Sequence, residues 1–549
     1  MNDMALKWRR LPALAWPGFS RPAQLIVVVS LWIATVGNIA LWRELSHLAL
    51  WRGAAGWTLV VGMATGVCGV MLLWFSAFAW RWTLKPMLVL MLLVAAGCTH
   101  FMLSYGIVMD PAMMTNVLQT DVHEATDLLN FRLLVDLVLL GLLPALWVMR
   151  QRISHGSAWS RLRGNLQLAA AALVLVVVSV LACFQPLAST MRNHHHVRYL
   201  MNPLNVIYAL GKTAFAGPAR SHDIQPIGLD AVAGTRFEAS RPPLLVLVLG
   251  ETARAGNFGV NGYARDTTPM LAQEDIVSFR NVWSCGTSTA ASVPCMFSRM
   301  PRRQFVDRDH EEQGLLDVLQ HAGYAVLWLD NQGGCKGVCD RVPNASTCAG
   351  GECLDDVMLE GLDDRLAALP AERRAHGVVL VLHQIGSHGP AYYRRSSSET
   401  KRYLPECTQT ELQACTREEL VNAYDNSIAY TDHMLGNSIR WLQRHETAWQ
   451  PALMYVADHG ESLGENNLYL HGMPYAVAPD LQKRVPWITW MSSGFEQAAG
   501  LNRACLRGRV DTEVSHDHYF HSVLGLLGVH TSVYEEGLDA YAPCRGRTG

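Results

Sequence analysis

Four short apolar runs in the second half of this chain each end on residues that can hold a metal or move a proton. Glu251 follows LLVLVLG, Asp330 and Asn331 follow AVLWL, His383 and then His388 follow GVVLVL, and the pair Asp458-His459 follows ALMYVA. Carboxylates and imidazoles form a hard-to-borderline ligand set that suits zinc or manganese. Taken singly these residues say little, because a Glu after a strand is commonly a helix cap and a lone Asp-His pair proves nothing. Gathered at the ends of alternating strands, they favour a metal site. A metal that polarises a phosphoryl oxygen needs a nucleophile beside it. The segment SCGTSTAASVPCMFS offers Thr287 directly after a glycine, at the predicted start of a helix whose N-terminus would stabilise an alkoxide and an incoming phosphate. Ser284, Ser288, Thr289 and Ser292 compete on composition alone, with helix capping as the plain alternative for each, and spacing does not choose among them.

The elements that must carry these residues follow from the pattern around them. Apolar runs that read as buried on both faces, separated by helical segments, predict a doubly wound, mostly parallel sheet whose reactive groups collect beyond the strands' carboxyl ends. The segment Glu418–His445 has helical apolar spacing and is long enough to cover one face; its Asp425, Asp432 and His433 are expected to face solvent or to cap. No internal repeat is visible.

At 549 residues the chain exceeds one ordinary domain. Five apolar runs, Leu25–Trp42, Trp57–Trp80, Pro86–Tyr105, Leu133–Met149 and Leu166–Phe184, each approach the ~20 residues that a membrane-spanning helix needs. A signal peptide is a poor reading, since four further runs follow the first and no small-residue cleavage site stands out. Lys7, Arg9, Arg10, Arg21, Arg81, Lys85, Arg150, Arg152, Arg161 and Arg163 fall on one side of an alternating topology, against Arg43, Arg52 and Arg132 on the other. The positive-inside rule then puts the N-terminus in the cytoplasm and everything after the fifth span outside it. The charge balance, 45 basic against 47 acidic residues, excludes an electrostatic footprint for nucleic acid.

Three of the thirteen cysteines, Cys68, Cys98 and Cys183, sit in the apolar runs, and the other ten lie beyond residue 280. In an exported domain an even number predicts disulfides. Cys285–Cys295 and Cys407–Cys415 are the expected local loops, Cys335, Cys339, Cys348 and Cys353 form two more in an open pairing, and Cys505 and Cys544 remain for a fifth. A zinc cluster at those four central cysteines would need a reducing compartment. Residues 186–240, with Pro203, Gly217, Pro218, Pro226 and Gly234, read as a linker with a surface helix around Arg198–Lys212, and His194–His196 as a solvated polar stretch. The expected organisation is a transmembrane domain over 1–185, this linker, and an exported catalytic domain over 241–549.

Beyond these readings, the stretch GETARAGNFGVNGY, with SCGTSTAASVPCMFS, NQGGCKGVCDRVPN, VLHQIGSHGPAYY, ADHGESLGENNLYLHGMPY and the five-run N-terminal region, resembles the lipid A phosphoethanolamine transferases, including the mobile colistin-resistance enzymes. The resemblance implies a five-helix transmembrane domain joined to an α/β domain of the alkaline-phosphatase/sulfatase type. It implies that Thr287 of SCGT receives phosphoethanolamine and that Glu251, Asp458 and His459 complete, with Thr287, a site for one tightly bound Zn²⁺. Lys336 of CKG, His388 of GSHGP and His471 of LHG match residues that contact the phosphate or ethanolamine or bind a second, weaker zinc. NVLQTDVHEA, between the third and fourth spans, resembles the donor-lipid contacts and marks Asn116, Thr120 and Glu124. One departure is that Gly333 and Gly334 of NQGGCKG stand where small hydroxyl residues are expected in parts of the family.

The implied activity is transfer of phosphoethanolamine from phosphatidylethanolamine to lipid A or lipopolysaccharide core through a phosphothreonine-type intermediate, conferring polymyxin resistance. The expected setting is the bacterial inner membrane, with the catalytic domain in the periplasm and the chain a monomer. Rivals are a glycerol-phosphate transferase of the lipoteichoic acid synthase type, a membrane-anchored sulfatase or phosphodiesterase, and a non-catalytic sensor. The cysteine-bracketed SCGT segment speaks against the first two, and retention of every expected ligand against the last.

Overall fold

A computed structural model describes residues 21–48, 53–120, 122–154, 156–215, 221–348 and 353–546. Lys7, Arg9, Arg10 and Arg52, used for orientation above, and Gly217 and Pro218 of the linker lie outside the described residues. The chain divides into two compact units, one running to Leu103 and resuming over Phe131–Ile207, the other comprising Ser104–Asn130 and everything from Tyr208.

The first unit is helical. Helices long and apolar enough to cross a membrane occupy Pro22–His47, Gly56–Ala77, Leu84–Tyr105, Phe131–Arg150 and Ala158–Ala182, one for each apolar run. Ser157 starts the last of them, its hydroxyl accepting from the Ser160 amide. Small residues let two of these helices approach closely: Gly62, Gly66 and Gly69 of the second face Cys183, Ser179 and Val176 at the fifth, and the hydroxyls of Thr65 and Ser179 lie 2.8 Å apart. Asn38, Thr99 and Asn202 form a buried polar network in which the Asn202 amide donates to the carbonyls of Gly37 and Ala95. The segment read as a linker is more regular than its sequence pattern: helices cover Phe184–Asn193 and Leu204–Phe215, the second shifted toward the C-terminus from the expected Arg198–Lys212 because Pro203 starts it. His196 Nε2 is hydrogen-bonded to Glu44 at 2.7 Å, so the three-histidine stretch is not merely solvated.

The second unit is built on seven strands: β1 (Pro243–Gly250), β2 (Ile276–Phe279), β3 (Ala325–Asp330), β4 (Asn344–Ser346), β5 (Val378–His383), β6 (Gln450–Ala457) and β7 (Trp487–Met491), in the spatial order β2-β7-β6-β1-β5-β3-β4. The run β6-β1-β5-β3-β4 is parallel throughout, and β7 enters antiparallel between β6 and β2. Strands β1, β3, β5 and β6 are buried at every position, as their unbroken apolar runs require. Each such Leu or Val contributes about 1.5–3 kcal/mol relative to exposure.

Four helices of this unit matter for the site. The outer segment Ser104–Asn130 supplies α1 (Pro111–Gln119), started by Asp110 accepting from the Met113 amide, and α2 (Val122–Asp127). Helix α3 (Thr289–Met296) follows Ser288, and α1 packs against it. Helix α4 (Arg417–Arg444) opens with a Thr416/Glu419 capping box and buries Leu420, Tyr424, Ile428, Leu435, Ile439 and Leu442 on one face. Asp425 on this helix is not solvent-facing: it is buried against Asn257, Tyr263 and Arg265. Asp432 is buried too, and caps the amides of Met270 and Leu271, while His433 pairs with Asp356 at 3.2 Å.

All ten cysteines outside the apolar helices are oxidised. Besides Cys285–Cys295, Cys407–Cys415 and Cys505–Cys544, the open pairing resolves as Cys335–Cys339 and Cys348–Cys353. Cys68, Cys98 and Cys183 remain thiols.

Candidate active site

Strand register assembles the site. Gly250 lies beside Ala457 in the β1–β6 pair, so Glu251 and Asp458, the next residue on each chain, emerge side by side, with the Asp458 amide bonded to the Gly250 carbonyl at 2.9 Å. On the other flank Leu249 pairs with His383, and His383 with Asp330. The polar terminators of four separate runs therefore form one row across the carboxyl edge of the sheet, where an open α/β fold leaves a crevice.

At the centre of that row Glu251, Asp458 and His459 each turn a ligand atom into a space where all three lie within 4.8 Å of one another. All three are fully buried. His459 Nε2 is 3.3 Å from Glu251 and 3.4 Å from Asp458, yet neither His459 Nε2 nor Asp458 Oδ2 has a hydrogen-bond partner. Burial, then the charge of Glu251, pushes the Asp458 carboxyl up. Burial also opposes ionisation of Glu251, but the adjoining His459 outweighs it and holds that carboxyl well below its ordinary range. Two buried carboxylates around one imidazole, with polar atoms of His459 and Asp458 left without hydrogen-bond partners, form a donor set that a divalent cation fits.

Neighbouring groups hold these ligands in place. Thr252 and Thr289 donate their hydroxyls to Glu251, at 2.6 Å and 3.0 Å, and the Thr252 amide donates to Asp458 at 3.1 Å. Thr252 itself has φ +57°, rare for a β-branched residue, and is held there by Tyr424, whose hydroxyl donates to its carbonyl at 2.8 Å. Behind the row, His383 Nδ1 meets Asp330 at 2.9 Å and Asn331 donates to Asp355 at 2.8 Å. The same Asp355 carboxylate receives the amides of Ile385 and Gly386, fixing the turn that leads to His388.

Thr287 stands just before α3. Of the neighbouring hydroxyls, Ser284 donates to the Gly286 carbonyl, Ser292 accepts from the Gly286 amide and Thr289 donates to Glu251, while Ser288 caps α3 by position without a side-chain cap bond. Thr287 donates its hydroxyl to the Met473 carbonyl at 2.6 Å, and its own carbonyl receives the Gly472 amide at 2.7 Å. This ties it to the segment that carries His471. The His471 ring lies 4.3 Å from that of His459 and 5.4 Å from that of His388, a row of three imidazoles.

The remaining expected residues are placed less centrally. Lys336, at φ +51°, donates its ammonium to the Gly333 carbonyl of its own turn at 3.1 Å. In that turn Gly334 has φ +88°, so a Ser or Thr there would be strained. Asn116 on α1 lies beside Gly472, and Thr120 bonds to the Asn116 carbonyl at 2.7 Å. Glu124 is within α2, but its side chain lies outside the described residues.

Two residues that sequence reasoning missed also shape the site. Glu461 is fully buried, accepts from the Tyr392 hydroxyl at 3.0 Å and faces His471 at 3.4 Å; only its place in ADHGES could have drawn attention to it. His516 accepts from the Cys285 amide at 3.0 Å through Nδ1 and reaches the Ala457 carbonyl at 3.0 Å through Nε2. That bridge fixes the Thr287 loop to the strand end that carries Asp458, and no local sequence signal announces it.

A mostly parallel sheet with a buried cluster at its carboxyl edge that could hold a metal ion has the form of a sulfatase-type domain, and the sulfatase family model matches residues 243–529. A second model, described as phosphoethanolamine transferase EptA/EptB, matches residues 67–216. The chain is 36% identical over 560 residues to phosphoethanolamine transferase EptA of Escherichia coli strain K12, covering 99% of both chains. It is 37% identical over 528 residues to the phosphatidylethanolamine transferase Mcr-1 of Escherichia coli, covering 92% of this chain and 95% of that one. The solved integral membrane protein lipooligosaccharide phosphoethanolamine transferase A from Neisseria meningitidis matches with a TM-score of 0.91 at 35% identity, over 96% of this chain and 100% of the other. The chain belongs to the phosphoethanolamine transferase family.

Proposed function

We propose that this chain transfers phosphoethanolamine from phosphatidylethanolamine to lipid A or the lipopolysaccharide core, with Thr287 as the residue that carries the group between them. The chief support is one arrangement: the Thr287 loop is hydrogen-bonded to the segment that carries His471, whose ring adjoins the buried Glu251, Asp458 and His459 cluster. Glu251, Asp458 and His459, with Thr287, would hold a zinc ion. When bound, the zinc supplies Lewis-acid polarisation and lowers the pKa of the hydroxyl it touches.

In the first transfer the Thr287 oxygen attacks phosphorus as the bond to the diacylglycerol oxygen breaks, and the hydroxyl proton ends on diacylglycerol. In the second, a phosphate oxygen or a sugar hydroxyl of the acceptor attacks the same phosphorus, the bond to Thr287 breaks, and the threonine oxygen takes up a proton, the acceptor's own where a hydroxyl attacks. His471, backed by Glu461, and His388 carry protons and offset developing charge, and Lys336 engages the phosphate. Asn116, Thr120 and Glu124 hold the donor head group. Membrane-spanning helices suit such a reaction because both lipids are confined to a bilayer, here the outer face of the inner membrane.

Adding a cationic ethanolamine to an anionic lipid weakens its attraction for cationic peptides, so polymyxin tolerance follows from the same reading. The test is mass spectrometry of lipopolysaccharide from cells expressing the wild type or Thr287→Ala. A phosphoethanolamine increment in the former alone supports the reading, and equal lipopolysaccharide masses and equal polymyxin tolerance would refute it.

A further inference from the structure

The segment Ser104–Asn130, which joins the third and fourth apolar helices, folds as part of the catalytic unit and is fastened to it at three places. Gln413 donates its side-chain amide to the Ser104 carbonyl at 2.8 Å. Met113 and Asn116 lie against Gly472. At the far end Asp127 meets Arg394 through one carboxylate oxygen at 2.9 Å and Arg395 through the other at 3.4 Å.

The two arginines are not equivalent. Arg394 is 48% exposed, and a pair so open to solvent is worth little. The Arg395 side chain is 3% exposed against 7% for Asp127, and its Nε donates to the His388 carbonyl at 2.9 Å. A single buried guanidinium therefore spans the outer segment on one side and the backbone of His388 on the other. Its planar fork fixes both directions at once, which a lysine ammonium would not do.

We propose that Asp127 and Arg395 are positioning residues that hold the outer segment in register with His388, so that the two sides of the phosphoethanolamine head group of a lipid donor are gripped at a fixed spacing. The inference rests on the transferase reading above. Asp127 acts on the donor through Arg395 and the loop it anchors. Its removal falls most heavily on a lipid donor that must meet the loop and His388 together, and less on a small soluble ester that needs His388 but not the loop.

The experiment uses the full chain in mixed micelles with two donors, phosphatidylethanolamine and a water-soluble nitrophenyl ester of phosphoethanolamine. Asp127→Asn should raise KM for the lipid on the order of tenfold to a hundredfold while kcat/KM for the soluble ester falls by a clearly smaller factor, the melting temperature should drop because Arg395 loses its buried counter-charge, and Asp127→Glu should restore both the lipid KM and the melting temperature. Arg395→Lys should raise the lipid KM as well, and the double variant should be no worse than the more affected single one. An unchanged lipid KM in Asp127→Asn, equal losses on both donors, or strictly additive effects of the two changes would each overturn the inference. A wild-type chain inert toward phosphatidylethanolamine would instead overturn the transferase reading, and this inference with it.

Discussion

The Gly472 amide donates to the Thr287 carbonyl across 2.7 Å, while the Thr287 hydroxyl donates to the next carbonyl along, that of Met473. This reciprocal pair couples the loop of the reactive hydroxyl to the segment of His471. Gly472 has φ +88°, and a Cβ there would stand 2.6 Å from Met113 and 3.2 Å from the Asn116 amide. Gly472→Ala should therefore cost about 1–2 kcal/mol in backbone strain and lower kcat/KM for transfer by roughly tenfold or more through displacement of Thr287. Wild-type turnover in that variant would show that the coupling is not needed.

The metal reading separates ligands from substrate contacts. Glu251→Gln and Asp458→Asn should each lose bound zinc, measured by elemental analysis of the purified chain, and should melt at a lower temperature than the wild type. Lys336→Ala, whose ammonium lies in its own turn, should keep the metal and lose turnover. Chelation should abolish activity, and zinc should restore it. Full metal content in Glu251→Gln would remove that carboxylate from the ligand set.

His516 gives a pH signature. Burial pulls its imidazole down to about 3, from an ordinary value near 6.5. Between these values the unfolded chain takes up a proton that the folded chain refuses. The neutral side chain's stabilisation is thus complete above pH 6.5 and is lost as pH falls toward 3, at up to about 1.4 kcal/mol per pH unit. His516→Gln keeps a donor and an acceptor but removes the titration, so the decline in melting temperature between pH 6.5 and 4 should be shallower than in the wild type. Identical slopes would mean that His516 is not held neutral.

The disulfides should differ in worth with the length of chain they close. Cys505–Cys544 spans 39 residues and Cys348–Cys353 only 5. Loop-closure entropy assigns about 4 kcal/mol to the first and about 2 to the second. Melting of Cys505→Ser/Cys544→Ser against Cys348→Ser/Cys353→Ser checks the order, and a larger loss from the shorter loop would count against the entropic account.

Much of the scaffold was legible because it rests on local pattern. The runs at β1, β3, β5 and β6 read as buried strands, since a both-faces-buried strand can be nothing but apolar, and each apolar N-terminal run became one long helix. The residues ending those strands read as candidates because side-by-side parallel strands must end together. Less legible were Asp425 and Asp432, charged and on a helix and so expected to face solvent or to cap, without any sign of their partners. Asp425 instead neutralises Arg265 inside the fold, and Asp432 caps a turn more than 150 residues away in sequence. Of the two helices near the linker, the one expected around Arg198–Lys212 lies at Leu204–Phe215, and Phe184–Asn193 was missed because its apolar spacing is short.

What the sequence determined by itself was composition at a distance of a few residues: which runs are apolar enough to be buried, which polar residues end them, and how many cysteines lie outside the apolar runs to be paired. The tertiary structure alone decided which of these ends meet. Parallel register put Glu251 beside Asp458, and two hydrogen bonds joined the Thr287 loop to the segment of His471. Folding the outer segment onto the catalytic unit brought Asp127 to Arg395. Such contacts join residues tens to hundreds of positions apart, and no local propensity encodes them. They arise only when burial of the sheet fixes the strand order and every enclosed polar group must then find a partner.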